Sequence, residues 1–310
     1  MSGPATGPAT GPAANSTTTT LTARLARLVP TRLVAATARR VYPRFEPELA
    51  RLSDLCPPGS RTAVDVGGWY GPWTHRLAGL ADRVVTVEPV PHLARLLTSG
   101  APANVRVVHA AASDHQGTAR LWLPADDAGD RGVSSLVRRD IHAHALDVPC
   151  LTLDSLDLHD VDFMKIDVDG NELAVLHGAS TLLSRDRPAL FVELEFRIQP
   201  IAPVVDHLAR LGYEGWVLPG DTWQTLASFD LEAHQARTCH VVSRGLLRRV
   251  LPPKGPRYVN SVLFLADGRR PGAPAVRDDG SHAARETPHD PLHPSGLPAG
   301  PAAPDGGPQP

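Results

Sequence analysis

Four acidic residues stand at the ends of short apolar runs: Asp65 in Thr62–Val66, Glu88 closing Arg83–Glu88, Asp167 in Val161–Val168 and Glu193 in Ala189–Phe196. Apolar runs of this length bounded by turn residues read as buried strands. Acids at strand ends can take a proton from a substrate or bind a hard cation. The first of them is followed by a turn containing Gly67, Gly68 and Gly71, whose missing side chains let a ligand approach the backbone closely. Pro72 then suits a first helical position, with a helix expected over Thr74–Leu80. Glu88 lies 23 residues after Asp65, near the separation at which a nucleotide-binding βαβ unit places an acid on a ribose diol.

A dinucleotide fingerprint, G-x-G-x-x-G, needs three glycines in register. Here those positions hold Val66, Gly68 and Gly71, so the first glycine is missing. The turn reads D-x-G-x-x-x-G through Asp65, Gly67 and Gly71. An acid before the turn would repel a pyrophosphate but suits a cofactor bearing an ammonium and a sulfonium group. The arrangement resembles the first motif of class I S-adenosylmethionine (SAM) methyltransferases.

Further along, helices are expected at Val90–Ser99, Gly170–Leu183 and Ile201–Leu211, and strands at Val105–His109, Tyr213–Leu218 and Tyr258–Ala266. Ala111–Leu123 reads as a turn entering an exposed alternating strand, Asp126–Arg139 as a mobile polar loop, and Pro149–Leu151 as a short strand before a helical turn at Leu153–Leu158. Alternating strands and helices over residues 60–268 predict one doubly wound α/β domain with helices on both faces of its sheet. Ligands of such sheets bind beyond the carboxyl ends of the strands, where Asp167, Asp169, Glu193 and Glu195 are expected. Asp169 and Glu172 also fit a capping box at the start of the following helix.

DFMKIDVDGNELAVLHGASTLL resembles the signature of the FkbM family of SAM-dependent methyltransferases, K-I-D-V-E-G-x-E-x-x-V-L-x-G-A, with Asp169 replacing the usual Glu. VDVGGWYGPWT is similar to the family's D-V-G-A-N-I-G-x-x-T at Asp65, Gly67, Gly71 and Thr74, with Trp69 where Asn is usual. VEPVPHLARLL matches its E-P-x-P segment at Glu88, Pro89 and Pro91. AASDHQGTARLWL matches A-x-S-D-x-x-G-x-A-x-L at Ser113, Asp114 and Gly117.

The resemblance spans about residues 60–266 and implies a Rossmann-like methyltransferase fold, SAM as donor, and a hydroxyl on a natural product or glycan as acceptor. The cofactor residues it implies are Asp65, Gly67, Gly71, Thr74, Glu88, Pro89, Ser113 and Asp114, with Glu88 on the ribose. Trp69 or Tyr70 is expected either to pack on the methionyl end of the cofactor, or to cover the helix start or wall the substrate pocket. For the chemical step, Asp167 is the first candidate, as base, as metal ligand or as a holder of the SAM amino group. Glu193 follows, then His144 and His142, expected in the loop before Val148. A catalytically inactive binding module and a nicotinamide-dependent dehydrogenase are the alternatives; the missing glycine register weighs against the dehydrogenase.

Composition sets the remaining bounds. A net charge of −2 gives no global signal for nucleic acid. Cys56, Cys150 and Cys239 are scattered without metal-ligand spacing, which points to reduced thiols and a cytoplasmic protein. No apolar segment has the length of a membrane span. Residues 1–20 repeat GPAT and read as a disordered leader. Residues 21–59 form a basic arm: between Leu21 and Phe45 lie six arginines and no acid, with Pro30 dividing two short helices. Such an arm lies on an anionic surface, covers an active site, or simply packs on the domain. From Pro271 onward there are ten prolines in forty residues, so 269–310 is expected to be a disordered tail.

Overall fold

The computed structural model describes residues 31–44, 46–124, 132–239 and 257–272. The leader, the first arm helix and almost all of the tail lie outside them. In chain order the helices are α1 (Thr31–Val41), α2 (Leu52–Leu55), α3 (Pro72–Leu77), α4 (Pro91–Gly100), α5 (Glu172–His177), α6 (Ser180–Asp186), α7 (Ala202–Arg210) and α8 (Leu231–Thr238). The strands are β1 (Ser60–Val66), β2 (Ala81–Val87), β3 (Val105–Val108), β4 (Ala111–Ala112), β5 (Gly117–Pro124), β6 (His142–Leu151), β7 (Val161–Ile166), β8 (Ala189–Glu193), β9 (Tyr213–Val217), β10 (Gln224–Thr225) and β11 (Ser261–Ala266).

Eight strands form the main sheet in the order β10-β9-β11-β8-β7-β1-β2-β3. The pairs among β3, β2, β1, β7 and β8 are parallel; β11 runs antiparallel between β8 and β9. The order reverses between β1 and β7, and that reversal is where a doubly wound sheet opens a crevice. The Rossmann-like α/β expectation holds.

Alternation along each strand sorts side chains to two faces. Val64, Met164, Ile166, Leu190 and Val192 join the core that contains Val175, Leu176, Leu183 and Leu208 of α5, α6 and α7. Ala63, Phe163 and Phe191 face the other way, against Trp73 and Leu77 of α3 and Leu49, Leu52 and Leu55 of the arm. Trp73 stacks on Phe163 with centroids 6.3 Å apart and tilts over Phe191 at 4.9 Å. The second half of the arm therefore covers one face of the sheet.

Several expectations are corrected. Gly170–Leu183 is not one helix; α5 ends at His177, with Gly178 as its cap, and α6 starts at Ser180. A Cβ at Gly178 would lie 2.0 Å from the Ser113 carbonyl oxygen, so this junction exists where the chain passes against the residue after β4. Pro149–Leu151 is only the end of β6, which pairs antiparallel with β5 from Gly117↔Cys150 to Pro124↔His142. With β4 they form a separate three-stranded sheet. His142 and His144 are thus in a strand, not a loop. Residues 132–139 of the expected mobile loop are held down: Ser135 exchanges backbone hydrogen bonds with Trp122, and its hydroxyl donates to the Asp169 carbonyl at 2.7 Å. The strand from Ala189 stops at Glu193, leaving Glu195 in the turn beyond it.

Candidate active site

The parallel registers bring the acids together. Asp65 of β1 lies opposite Lys165 of β7. Lys165 lies opposite Phe191 of β8, and Ile166 opposite Val192, so the next step places Asp167 beside Glu193. The Lys165 ammonium is 3.1 Å from Asp167 Oδ2, 3.6 Å from Asp65 Oδ1, and donates to the Gly67 carbonyl at 2.9 Å. Burial works against the Lys165 charge, but Asp167, Asp65 and Glu46 outweigh it and raise its pKa. Glu193 is pushed well above the usual carboxyl range by burial, then by the charge and hydrogen bond of Asp167. The side-chain amide of Asn260 also donates to Glu193.

The glycine turn is built into this cluster. Gly67 has φ +85°, and a Cβ there would lie 2.0 Å from the Asp167 carbonyl oxygen. Trp69 follows at φ +46°, and its backbone N–H donates to Glu88 Oε2 at 2.8 Å. The Val90 N–H donates to Glu88 Oε1, also at 2.8 Å. Burial raises the Glu88 pKa to about 7, against the pull of those two N–H groups. Asp65 is completely buried; Thr74 donates to its Oδ2 at 2.6 Å, while Oδ1 has no hydrogen-bond partner.

The arm contributes as well. Tyr42 donates to Glu46 Oε1 at 3.0 Å, and Trp73 Nε1 donates to Glu46 Oε2 at 2.7 Å. Burial raises the Glu46 pKa to about 7; Lys165 pulls it down, Asp167 and Glu48 push it up. The Tyr42 ring is 5.4 Å from that of Trp69, which in turn meets Tyr70 edge-on at 4.9 Å. On the other side of Glu193, a small acidic cavity is lined by Asp169, Glu172, Glu193, Glu195, Ile198 and Gln199.

Residues 63–215 match the model of the methyltransferase FkbM domain. The chain carries an FkbM methyltransferase domain. No curated protein matches the sequence significantly. Among solved structures, the chain is similar to an FkbM methyltransferase from Methylobacillus flagellatus KT, at 18% identity and a TM-score of 0.39 over 54% of this chain; it spans only 42% of that protein's length. It is also similar to an O-methyltransferase from Bacillus cereus solved with SAH (18% identity, TM-score 0.40, 80% of this chain and 88% of that one). A third is a precorrin-6y C5,15-methyltransferase from Geobacter metallireducens GS-15 (14% identity, TM-score 0.38, 70% and 85%).

Within the FkbM domain the structure gathers Asp65, Gly67, Asp167 and Glu193 at one end of the sheet, with Gly71, Glu88 and Pro89 in the segments after β1 and β2. Thr74 is fully buried between Asp65 and Thr86, so it orders Asp65 from behind. Ser113 is buried and accepts from Asn171 at 3.3 Å. Asp114 is exposed and paired with His115 at 2.8 Å. His144 is exposed on the three-stranded sheet, opposite Leu123, rather than beside Asp167. His142 Nδ1 accepts from the Arg139 N–H at 3.0 Å while Nε2 lies 3.0 Å from the Val133 carbonyl, which makes it a clamp on residues 133–139.

The capping-box expectation fails: the helix begins at Glu172 itself, which returns no bond to Asp169. Glu172 accepts from the N–H groups of Val168 and Gly170. Asp169, however, sits at φ +60° and pairs with Arg139, and Asn171 takes the cap position. Sequence reasoning missed Lys165 as an ion partner and missed Tyr42 and Glu46 altogether. The Lys in the K-I-D signature was the available signal for the first.

The residues fit SAM in two respects: Glu88 keeps further lone pairs on a carboxylate already oriented by two backbone donors, and Asp65, Asp167 and Glu46 act on a single lysine. The glycines do not open room for a ligand as expected, because protein atoms fill their Cβ positions, the Asp167 carbonyl oxygen at 2.0 Å from that of Gly67 and Thr86 Cγ2 at 2.3 Å from that of Gly68. Nor does Asp65 meet the cofactor's cationic end: it is fully buried, with Lys165 between it and Asp167.

Proposed function

We propose that this protein is a SAM-dependent methyltransferase acting in the cytoplasm on a hydroxyl oxygen of a small-molecule natural product or sugar. The observation that carries the reading is Glu88, fixed by the Trp69 and Val90 N–H groups at the mouth of the glycine turn. A carboxylate so placed accepts both hydroxyls of a ribose diol. SAM, when bound, supplies an electrophilic methyl group for in-line displacement. The protein's task is then mainly to hold an acceptor oxygen in line and to take its proton.

Asp167 is the least buried acid of the Asp65–Lys165–Asp167 group, with 26% of its side chain exposed against none for Asp65. It receives the acceptor's hydroxyl, with Lys165 holding its second oxygen and Glu193 completing the pair. Pro89 and the Ser113–Asp114 segment would border the cofactor, and the cavity beside Glu193 would border the acceptor.

Calorimetry of the full chain with SAM, its demethylated product SAH, and NAD tests the donor. Micromolar binding of SAM and SAH without NAD supports the reading; binding of NAD alone supports a dehydrogenase. Incubation with methyl-labelled SAM and a panel of sugars and phenolic natural products then separates an enzyme from an inactive binding module.

A further inference from the structure

The N-terminal arm carries two side chains that the FkbM match at 63–215 does not include. Tyr42 and Glu46 follow α1, and both stand among the groups at the carboxyl ends of β1, β7 and β8. Glu46 is hydrogen-bonded by Tyr42 from the arm and by Trp73 from α3. It is also among the three carboxylates that act on the Lys165 charge, with Asp167 and Asp65. The Tyr42 phenol is raised well above its ordinary pKa by burial and then by Glu46, Asp167 and Glu193. One fully buried atom of this group, Asp65 Oδ1, has no hydrogen-bond partner. Lys165 is the one cation in direct contact with these acids among the described residues.

We propose that Glu46 is a donor-site residue supplied by the arm, whose carboxylate selects the positively charged methyl donor over its uncharged-sulfur product. The inference rests on the SAM reading above and deepens it. Glu46, Asp65 and Asp167 act on one lysine, so a cation entering the group relieves repulsion that a neutral thioether leaves in place. Discrimination of this sign favours product release after each transfer. It also makes the arm a working part of the site instead of a support for α3.

The same electrostatics links binding to a proton. The charged and titratable groups facing Glu46 are Tyr42 and Glu48 from the arm, Lys165 and Asp167 from β7, and Glu193 from β8; Trp73 donates from α3. Glu48 is paired with Arg257. Burial raises the Glu46 pKa to about 7, so its proton is retained near neutral pH, and a new positive charge nearby favours its release.

The test is calorimetry on the full chain at pH 7 in buffers of different ionisation heat, with SAM and with SAH. Glu88, also raised to about 7, responds to the ribose common to both ligands, so its protons cancel between them. Wild type is expected to prefer SAM and to release more proton with SAM than with SAH. Glu46→Gln should lower the SAM-over-SAH preference about tenfold and reduce the extra proton release, while SAH still binds. Any proton exchanged by the donor's own amino group survives in that variant. An unchanged preference and proton count in Glu46→Gln overturns the proposal. Should Glu46→Gln also lose SAH, Tyr42→Phe decides. Removing a donor to the ionised carboxylate must move the pH of greatest proton release upward, and no movement overturns the proposal. A wild type that binds neither ligand overturns the donor reading together with this inference.

Discussion

Gly67 and Asp167 meet backbone to backbone: a Cβ on Gly67 would stand 2.0 Å from the Asp167 carbonyl oxygen. The contact joins the turn after β1 to the end of β7, and the Asp167 N–H donates to the Val66 carbonyl at 3.0 Å beside it. An alanine there faces two obstacles, a backbone overlap and a φ of +85° that side-chain-bearing residues rarely adopt. Gly67→Ala should cost about 2–4 kcal/mol of stability and separate the glycine turn from Asp167. Urea denaturation with SAH calorimetry measures both; a variant as stable as wild type would mean the two strand ends do not meet this closely.

Stability should fall as pH rises from 5.5 to 8. Burial leads the causes that raise Glu46, Glu88, Asp169 and Glu172 to about 7. The folded state therefore keeps protons that the unfolded chain has already lost. Their contribution is full below the ordinary carboxyl value and is lost as pH climbs through about 7. Asp114, Asp186 and Asp267 are lowered, so their contributions are already complete at 5.5 and stay constant. His207, lowered by burial, acts in the opposite direction, one group against four. Thermal melts across this range should give a lower Tm at pH 8; a flat or rising Tm would show that these carboxyls are not desolvated.

What was legible in the sequence was local. A glycine turn between two apolar runs specifies a strand–turn–helix unit within about 25 residues, and the carboxylates at strand ends could be named without coordinates. The partners of those carboxylates could not. Lys165 reaches Asp65 only through the β1–β7 register, a hundred residues apart in sequence. Glu46 reaches the site only because Trp73, packed on Phe163 and Phe191, offers its indole N–H there. The three-stranded sheet was hidden for another reason. β6 carries exposed residues along much of its length, Ala143 to Ala145 among them, so no apolar run marks it. The divided helix at Gly178 follows from a tertiary approach to Ser113, which local propensity does not contain.

Glu88→Ala should weaken SAM and SAH alike, by about ten-fold or more. A hydrogen bond to a charged group contributes about 1.5–3 kcal/mol, and each 1.4 kcal/mol is a factor of about ten. The mutation also strips the Trp69 and Val90 N–H groups of their acceptor, so the turn loses its shape with its ligand. Equal weakening distinguishes a ribose contact from a sulfonium contact, because both ligands carry the ribose. Calorimetry showing unchanged affinity for either ligand in a folded variant would remove Glu88 from the site.

Asp167→Asn separates three roles for the residue at the crevice. Its carboxylate lies 3.1 Å from the Lys165 ammonium and beside the buried Glu193, which burial raises well above the usual carboxyl range. The asparagine keeps the shape and loses the charge, so Lys165 must rely on Asp65 and Glu46. If Asp167 takes the acceptor's proton, SAH affinity should persist while methyl transfer falls on the order of 10²–10⁴-fold. If it holds the amino group of SAM instead, affinity for SAM and SAH should fall first, and transfer should recover at saturating SAM. If it ligates a cation, a chelator should silence the wild type and added divalent metal should restore it. We expect the first pattern, because Asp167 is the more accessible acid of the Lys165 ion-pair group, with 26% of its side chain exposed against none for Asp65. Normal turnover by Asp167→Asn at saturating SAM and acceptor would eliminate the base role and leave Glu193, its neighbour, as the acid to test next.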